Sequence, residues 1–580
     1  ALLWHRIGRS RRFHPSLGRL SAVLSVACGT GIVVLAHARE LLEVLPTFLG
    51  PSSATGLSGE IVLAIAVFGP ASIAMGAMAG LLLDAARTER GGVGRALGLN
   101  TLGSALAPLL FGVVRLPLVG SKVSLLCIAV GYLFLAPRLF GPAWLSVASL
   151  CGVLSFWPSS LWLVESDGGK LLVGLEGRLA AGSVIELSRG ERLLKVNDEF
   201  REGGTESSFG ERRLGHLPLL LHPAPHSALF LGLGTGITFA AAAEHPELRA
   251  VGVELIPEVV QVLPWFRPHN EALFGTARLS IAIADARRFV RAVSERFDVI
   301  VADLYHPARD GAAMLYTREH FRAIRARLSP AGLFCQWLPL YQLDEPVLRT
   351  IVRTFLAAYP ETMACMAYYN VETPALALIG SEAPLCIDPE SFSERLGDAR
   401  LRASLESVGL ATPVQVLGCA VANRSDLQGW AGEGLLNTDD RPVVLFAAPR
   451  WAYRAIKDPH ANLALLLQRF VLEPGAMLDP RRAQEGDLAR RAQAYRRARD
   501  LHLSGSMALR SGLRERGLEL VTRSVDTSPE FGASYVLLLH EARALAEDDP
   551  RSARSILEHL IAARPELTDA ASLLEELGLR

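Results

Sequence analysis

The sequence predicts a multidomain chain: transmembrane α-helices first, then an α/β domain with a parallel sheet, then an α-helical tail. Three observations carry this. Uncharged apolar runs are concentrated before residue 165. From residue 228, short β-type runs alternate with segments of helical pattern, which predicts a parallel sheet with helices on both faces. From residue 480 the chain turns charged and rich in Ala, Leu and Arg, and its pattern is helical. A chain of 580 residues is also too long for one hydrophobic core, so about two to four domains are expected.

Composition narrows the function. The 59 basic residues balance 59 acidic ones, so nothing points to nucleic acid as a partner. Half the residues are hydrophobic, and the mean hydropathy of +0.27 is high for a soluble protein. Seven cysteines are scattered with no C-x-x-C spacing, which argues against a zinc site and against a disulfide framework. The chain starts at Ala1 and its first residues do not read as a signal peptide, so a fragment lacking its beginning is expected.

In the N-terminal region, 1–164, uncharged runs span 21–38, 61–83, 96–114, 123–137 and 139–164. A bilayer span needs about 20 mostly apolar residues. The second, third and fifth runs meet that, and the first is marginal. The fourth reaches it only if Lys122 snorkels and 116–120 joins it. Small residues such as Gly69, Ala71, Ser72, Gly76 and Gly80 would let membrane helices approach closely. Buried helices of a soluble protein are the alternative, but successive soluble helices would show polar faces. The arginines at 6, 9, 11, 12 and 19, and at 87, 90 and 95, place both segments in the cytoplasm by the positive-inside rule. Five spans then put residue 165 outside the cytoplasm and four put it inside. A nucleoside metabolite as ligand favours inside.

Residues 165–225 read as a small β-rich segment, with strands at 170–175, 183–187 and 193–196 between Gly-containing turns. The α/β domain occupies 226–450, with strands at 228–233, 250–254, 279–284, 297–302 and 332–337. In the tail, 451–580, Pro529-Glu530 and Pro565-Glu566 each close a helical stretch, 36 residues apart. Tetratricopeptide (TPR) repeats have a period of about 34 residues, and at least about three repeats are needed for stability. A TPR-like tail of two units is therefore expected either to pack on the domain before it or to bind a protein partner; the alternative is a helical tail unrelated to such repeats.

The sharpest local signal is an apolar strand running into Gly232, Gly234, Thr235 and Gly236, followed by a helix. Such glycines allow a tight turn and let a ligand approach the backbone. Glu254 ends the next strand, 20 residues after Gly234, where an acid can accept hydrogen bonds from both ribose hydroxyls. Asp285, followed by Ala286, ends the third strand and is placed to meet an adenine amino group. Taken singly, Glu254 reads equally as a surface carboxylate and Asp285 as a helix N-cap. Together, at the carboxyl ends of successive strands, they fit a nucleoside in a crevice. Ile237 breaks the G-x-G-x-x-G spacing, which disfavours a dinucleotide.

From His216-Leu217-Pro218-Leu219 through Trp337, the chain resembles the spermidine synthase (polyamine aminopropyltransferase) family. The matching segments follow family order: the H-x-P-L segment, the glycine turn, Val253-Glu254, Ala284-Asp285, 298–303, Leu315-Tyr316-Thr317 with Phe321, then 328–332. Apolar spans before such a domain, with Asn437-Thr438-Asp439-Asp440-Arg441-Pro442 and Ala448-Pro449-Arg450 after it, resemble the family's bacterial membrane-bound group. The resemblance implies a Rossmann-like fold of the S-adenosylmethionine-dependent methyltransferase type. It implies decarboxylated S-adenosylmethionine as co-substrate, a small-molecule amine as acceptor, no metal, and a place in the inner membrane with the catalytic domain cytoplasmic. Homo-oligomers are common in the family. Asp303 is implied as the base, with Tyr305 and Tyr316 lining the pocket and His306 at the acceptor end; a strand-end cap is the plainer reading of Asp303, and a structural loop residue that of His306. His216 could reach the same cleft.

Three positions depart from the family. Thr235 stands where the family has the Asp that holds the aminopropyl ammonium, His306 where it has the Asp that grips the acceptor, and Ile256 where it has an acid. Asp310 could compensate, while Arg309 suggests an acceptor with a negative group. The alternatives are a methyltransferase using intact S-adenosylmethionine and a non-catalytic membrane protein that binds a nucleoside.

Overall fold

A computed structural model describes residues 17–38, 40–42, 44, 53–87, 92–134, 168–197, 200–309, 311–452, 458–472, 477–478 and 486–579. They divide into two compact units, one of residues 1–202 and one of 203–452 with 456–580.

Among the described residues of the first unit, three helices are long and apolar enough to cross a membrane, by length and composition: Leu17–Ala36, Leu57–Ala86 and Gly92–Tyr132. Leu24 and Ile32 of the first are buried, whereas Ile61, Ile65, Phe68 and Ile73 of the second are exposed. The run expected at 96–114 and the described part of the next, 123–134, lie on one bent helical path. A π-helical stretch, Pro108–Arg115, interrupts it, and Gly120 kinks it at φ 79°. Pro108 has no N–H to give the helix, which favours such an irregularity. The run 139–164 and the arginines at 6, 9, 11, 12 and 90 lie outside the described residues. A small sheet follows, of β1 (Lys170–Glu176), β2 (Ala181–Glu186), β3 (Arg192–Val196) and β4 (Phe200–Gly204), in that order. β4 was not foreseen.

The second unit is built on an eight-stranded sheet. Its strands are β5 (Ser227–Leu231), β6 (Arg249–Glu254), β7 (Leu279–Ile283), β8 (Phe297–Ala302), β9 (Leu328–Pro339), β10 (Glu361–Cys365), β11 (Ala375–Ser381) and β12 (Ala420–Ala422). The order is β12-β10-β11-β9-β8-β5-β6-β7. From β7 to β9 all pairs are parallel, as expected. The remaining three strands are antiparallel and correct the expectation of a parallel sheet throughout. Every residue of β11 is buried. A short run buried on both faces shows no period of two, so it does not announce itself as a strand. Residues 208–221, read as part of a strand-and-turn segment, form a helix, Ser208–Leu221.

Alternation along each strand divides the core into two layers. Leu229 and Leu231 of β5, with Ile300 and Ala302 of β8, enter one layer around Phe321, Phe334 and Phe355. Ala228 and Phe230, with Val299 and Val301, enter the other around Trp337 and Leu217. Emptying either layer of one large aromatic would cost about 3–5 kcal/mol.

The tail consists of helices Gly486–Arg510, Arg514–Thr527, Ala533–Leu545, Pro550–Ala563 and Asp569–Glu576, each packed on the next. Pro529 and Pro565 fall just after the second and fourth. The first helix is built into the sheet domain. Tyr495 presses on Gly418, where a Cβ would lie 2.1 Å from its ring. Arg499 donates to the Gly418 and Ala420 carbonyls at 2.9 and 3.0 Å.

Candidate active site

Strand order reverses at β5. The chain goes from β5 to β6 and β7 on one side, then returns to β8 on the other. In such sheets ligands bind outside the carboxyl ends at this switch point. Leu231 pairs with Ala302 there, so the next residues, Gly232 and Asp303, emerge side by side. The Asp303 amide bonds to the Leu231 carbonyl at 3.0 Å. A Cβ on Gly232 would lie 3.2 Å from the Cβ of Asp303. Gly232, Gly234 and Gly236 have φ of 86°, 51° and 76°, the left-handed region that glycine enters freely. Asn270, fully buried, pins the turn by donating to the Thr235 carbonyl at 2.9 Å.

Three carboxylates gather at this point. Glu254, at the end of β6, accepts the Leu233 amide at 3.0 Å and the Ile256 amide at 2.9 Å. It is therefore no surface carboxylate: it is 7% exposed, and burial pushes its pKa up. Asp303 accepts the amide of Leu304 at 2.8 Å. Burial pushes its pKa up to about 7, opposed by that amide and reinforced by Glu211 and Glu254. The third acid, Glu211, was not identified from the sequence. It sits on Ser208–Leu221 and accepts a hydrogen bond from the hydroxyl of Thr235 in the glycine turn. It also takes one from the Ser207 hydroxyl at 2.5 Å and one from the Gly204 amide at 3.0 Å. Desolvation pushes its pKa up as well. Among the described residues, no Lys or Arg pairs with any of these three acids. The available signal was the spacing of Leu214, Leu217 and Leu221, which marks a helix that would carry Glu211 toward the turn.

The remaining predicted residues divide between crevice and support. Asp285 caps helix Ala286–Ala292, accepting the Arg288 amide at 2.8 Å, and Ala286 opens that helix. Tyr305 donates its hydroxyl to the Leu231 carbonyl at 2.9 Å. Tyr316 has no exposed surface and donates to the Tyr305 carbonyl at 2.6 Å, so it acts on the pocket through Tyr305 and offers no contact of its own. His306 is buried, its Nδ1 faces Gln342, and desolvation lowers its pKa to about 4. Ile256 is buried ahead of helix Pro257–Val262. His216 does not reach the cleft. Its nitrogens face His245 and Ser404, each at 3.0 Å, and the ring is fully buried. Asp310 lies outside the described residues.

The motif at 437–442 closes the domain from behind. Asn437 donates to the Ala313 carbonyl at 3.2 Å and accepts the Val444 amide at 3.1 Å. Asp439 pairs with Arg287, and its amide bonds to Glu319 at 2.9 Å. Helix Ala286–Ala292 and the segment bearing Tyr316 are thereby tied together.

A glycine turn, an acid at the end of each of the next two strands and a switch-point acid define the class: a Rossmann-like α/β domain. Residues 208–377 match the model of the spermine/spermidine synthase domain. The chain is 29% identical over 195 residues to polyamine aminopropyltransferase 1 of Pseudomonas aeruginosa, covering 33% of this chain and 66% of that one. It is 30% identical over 219 residues to the polyamine aminopropyltransferase of Nitrosomonas europaea, covering 36% and 64%. In both cases it spans just under two thirds of the relative's length. The spermidine synthase of Thermotoga maritima is similar over 42% of this chain and 88% of its own, at 20% identity and a TM-score of 0.35.

Proposed function

We propose that this chain is a membrane-anchored aminopropyltransferase that moves the aminopropyl group of decarboxylated S-adenosylmethionine to a small amine. The observation that carries this reading is Asp303, set beside Gly232 at the switch point of a nucleoside-type crevice. The acceptor reaches the crevice as an ammonium, which has no lone pair. Asp303 takes its proton. The freed nitrogen attacks the carbon next to the sulfonium, the C–N bond forms, and the C–S bond breaks. The electron pair of that bond returns to sulfur and leaves neutral methylthioadenosine. Glu254 holds the ribose hydroxyls, and Asp285 the adenine amino group. Tyr305 shapes the wall beside Asp303, and His306 meets the far end of the acceptor.

The unpaired acids also weigh against methyl transfer. Intact S-adenosylmethionine would bring its own carboxylate among Glu211, Glu254 and Asp303, and like charges at short range repel. In this reading the apolar helices hold the domain at the cytoplasmic face of a bacterial inner membrane, and the TPR-like tail supports the catalytic domain with its first helix. Calorimetric titration of the full chain with decarboxylated S-adenosylmethionine, intact S-adenosylmethionine and methylthioadenosine tests it. Tightest binding of the decarboxylated form is expected. A preference for the intact form would turn the reading to methyl transfer, and no binding by folded protein would refute the nucleoside site.

A further inference from the structure

We propose that Glu211 receives the ammonium end of the donor's aminopropyl arm, and so sets the preference for a decarboxylated nucleoside. This rests on the aminopropyl reading above.

The glycine turn cannot supply this anion, because its one side chain with a heteroatom is the neutral Thr235. That hydroxyl is turned onto Glu211, with the carboxylate as acceptor. Glu211 reaches the turn from another element, the first turn of Ser208–Leu221. Its placement is over-determined. Its two oxygens accept from Thr235, from the Ser207 hydroxyl and from the Gly204 amide, three donors on two backbone segments, 204–207 and the glycine turn. Each of them is neutral. They orient the charge without cancelling it, and no Lys or Arg joins them among the described residues. Tyr368 closes the side of the helix behind the acid: its ring packs where a Cβ on Gly210 would lie 2.0 Å away.

An oriented, half-buried carboxylate without a cation is costly to hold. Two more acids, Glu254 and Asp303, raise that cost, since the charge of each disfavours the others. A ligand that brings positive charge removes the cost on binding. The donor brings two such charges, the sulfonium and the arm's ammonium. Glu254 is engaged at the ribose end of the crevice, and Asp303 must stay available for the acceptor's proton. Glu211, against the turn itself, is left for the ammonium. Intact S-adenosylmethionine carries an additional carboxylate on the same carbon as that ammonium, so the contact that attracts one donor repels the other.

The test is Glu211→Gln in the full chain, with affinities measured for decarboxylated S-adenosylmethionine and for methylthioadenosine, which has no aminopropyl arm. Methylthioadenosine affinity should stay within about twofold, reporting an intact fold and nucleoside site. Affinity for the decarboxylated donor should fall about tenfold or more, the scale of a lost charge-assisted hydrogen bond. An unchanged ratio of the two affinities overturns the assignment. If the glutamine variant does not fold, Glu211→Asp serves, because it draws the charge back by one methylene. A smaller fall in the same ratio is then expected, and no fall is again fatal. Failure of the reading beneath is separable: the unaltered protein would then show no preference for the decarboxylated donor over methylthioadenosine, before any substitution is made.

Discussion

Asp303 and His306 lie three residues apart on the loop after β8, and the same physical cause has opposite consequences for them. Desolvation penalises whichever form is charged. It pushes Asp303 up to about 7 and pulls His306 down to about 4. Near neutral pH the acid is therefore poised between its two forms, and the histidine is neutral. A cationic ligand beside Asp303 restores its charge, because an opposite charge favours the ionised form. His306 faces the neutral amide of Gln342 and feels Arg309 as a like charge. Near neutral pH one end of the loop can handle a proton, and the other presents a neutral ring.

The largest effect that can break this contrast is removal of the acid. Asp303→Asn should lower turnover by about 100- to 10,000-fold, the usual contribution of a positioned base. Methylthioadenosine should bind as before. The unaltered enzyme should show kcat/KM for the acceptor rising with pH through about 7, because the base works only when deprotonated. That limb should be missing from the residual activity of the variant. A limb near 4 would mean that Asp303 is not desolvated as described, and unchanged turnover in Asp303→Asn would remove it from the mechanism.

The contrast can also be sharpened from its other end. His306→Asp would place a carboxylate where the loop now has a neutral ring. A diamine should gain about 1.5 kcal/mol in binding, roughly tenfold in kcat/KM relative to a monoamine of equal length. The new charge would also disfavour ionisation of Asp303, so the rising limb should move to higher pH. A diamine that gains nothing would show that position 306 does not meet the acceptor.

Much of this loop was legible in the sequence, and its surroundings were not. The strand-end positions of Gly232, Glu254, Asp285 and Asp303 were legible because each stands at or just past the end of a mostly apolar strand, and a strand's end fixes where the next residue emerges. Glu211 was missed because its relation to Thr235 spans 24 residues and exists only once helix Ser208–Leu221 packs against the turn. β10, β11 and β12 were missed because short runs buried on both faces carry no period. The joining of the third and fourth apolar runs depended on 116–120, whose helical path no local signal decided. The tail's helices were legible from composition, but their attachment was not. Arg499 bonds to carbonyls 79 and 81 residues earlier, and a backbone carbonyl has no signature in a sequence.

The smallest effect separates the reactive end of the loop from its support. The Tyr305 hydroxyl donates to the Leu231 carbonyl, which also accepts the Asp303 amide. That carbonyl therefore keeps a partner in Tyr305→Phe, and no buried acceptor is left bare. The stability lost should be at the low end for a neutral hydrogen bond, about 0.5 kcal/mol, read as a small fall in Tm. Turnover should fall several-fold more than that loss alone implies, because the bond ties the residues after Asp303 to the strand carrying the glycine turn. A near-attack geometry is sensitive to displacements of about 1 Å. The pH limb should stay near 7, since the carboxylate's surroundings are otherwise unchanged. If kcat stays constant while Tm falls, Tyr305 is only packing, and Asp303 is held well enough by β8 alone.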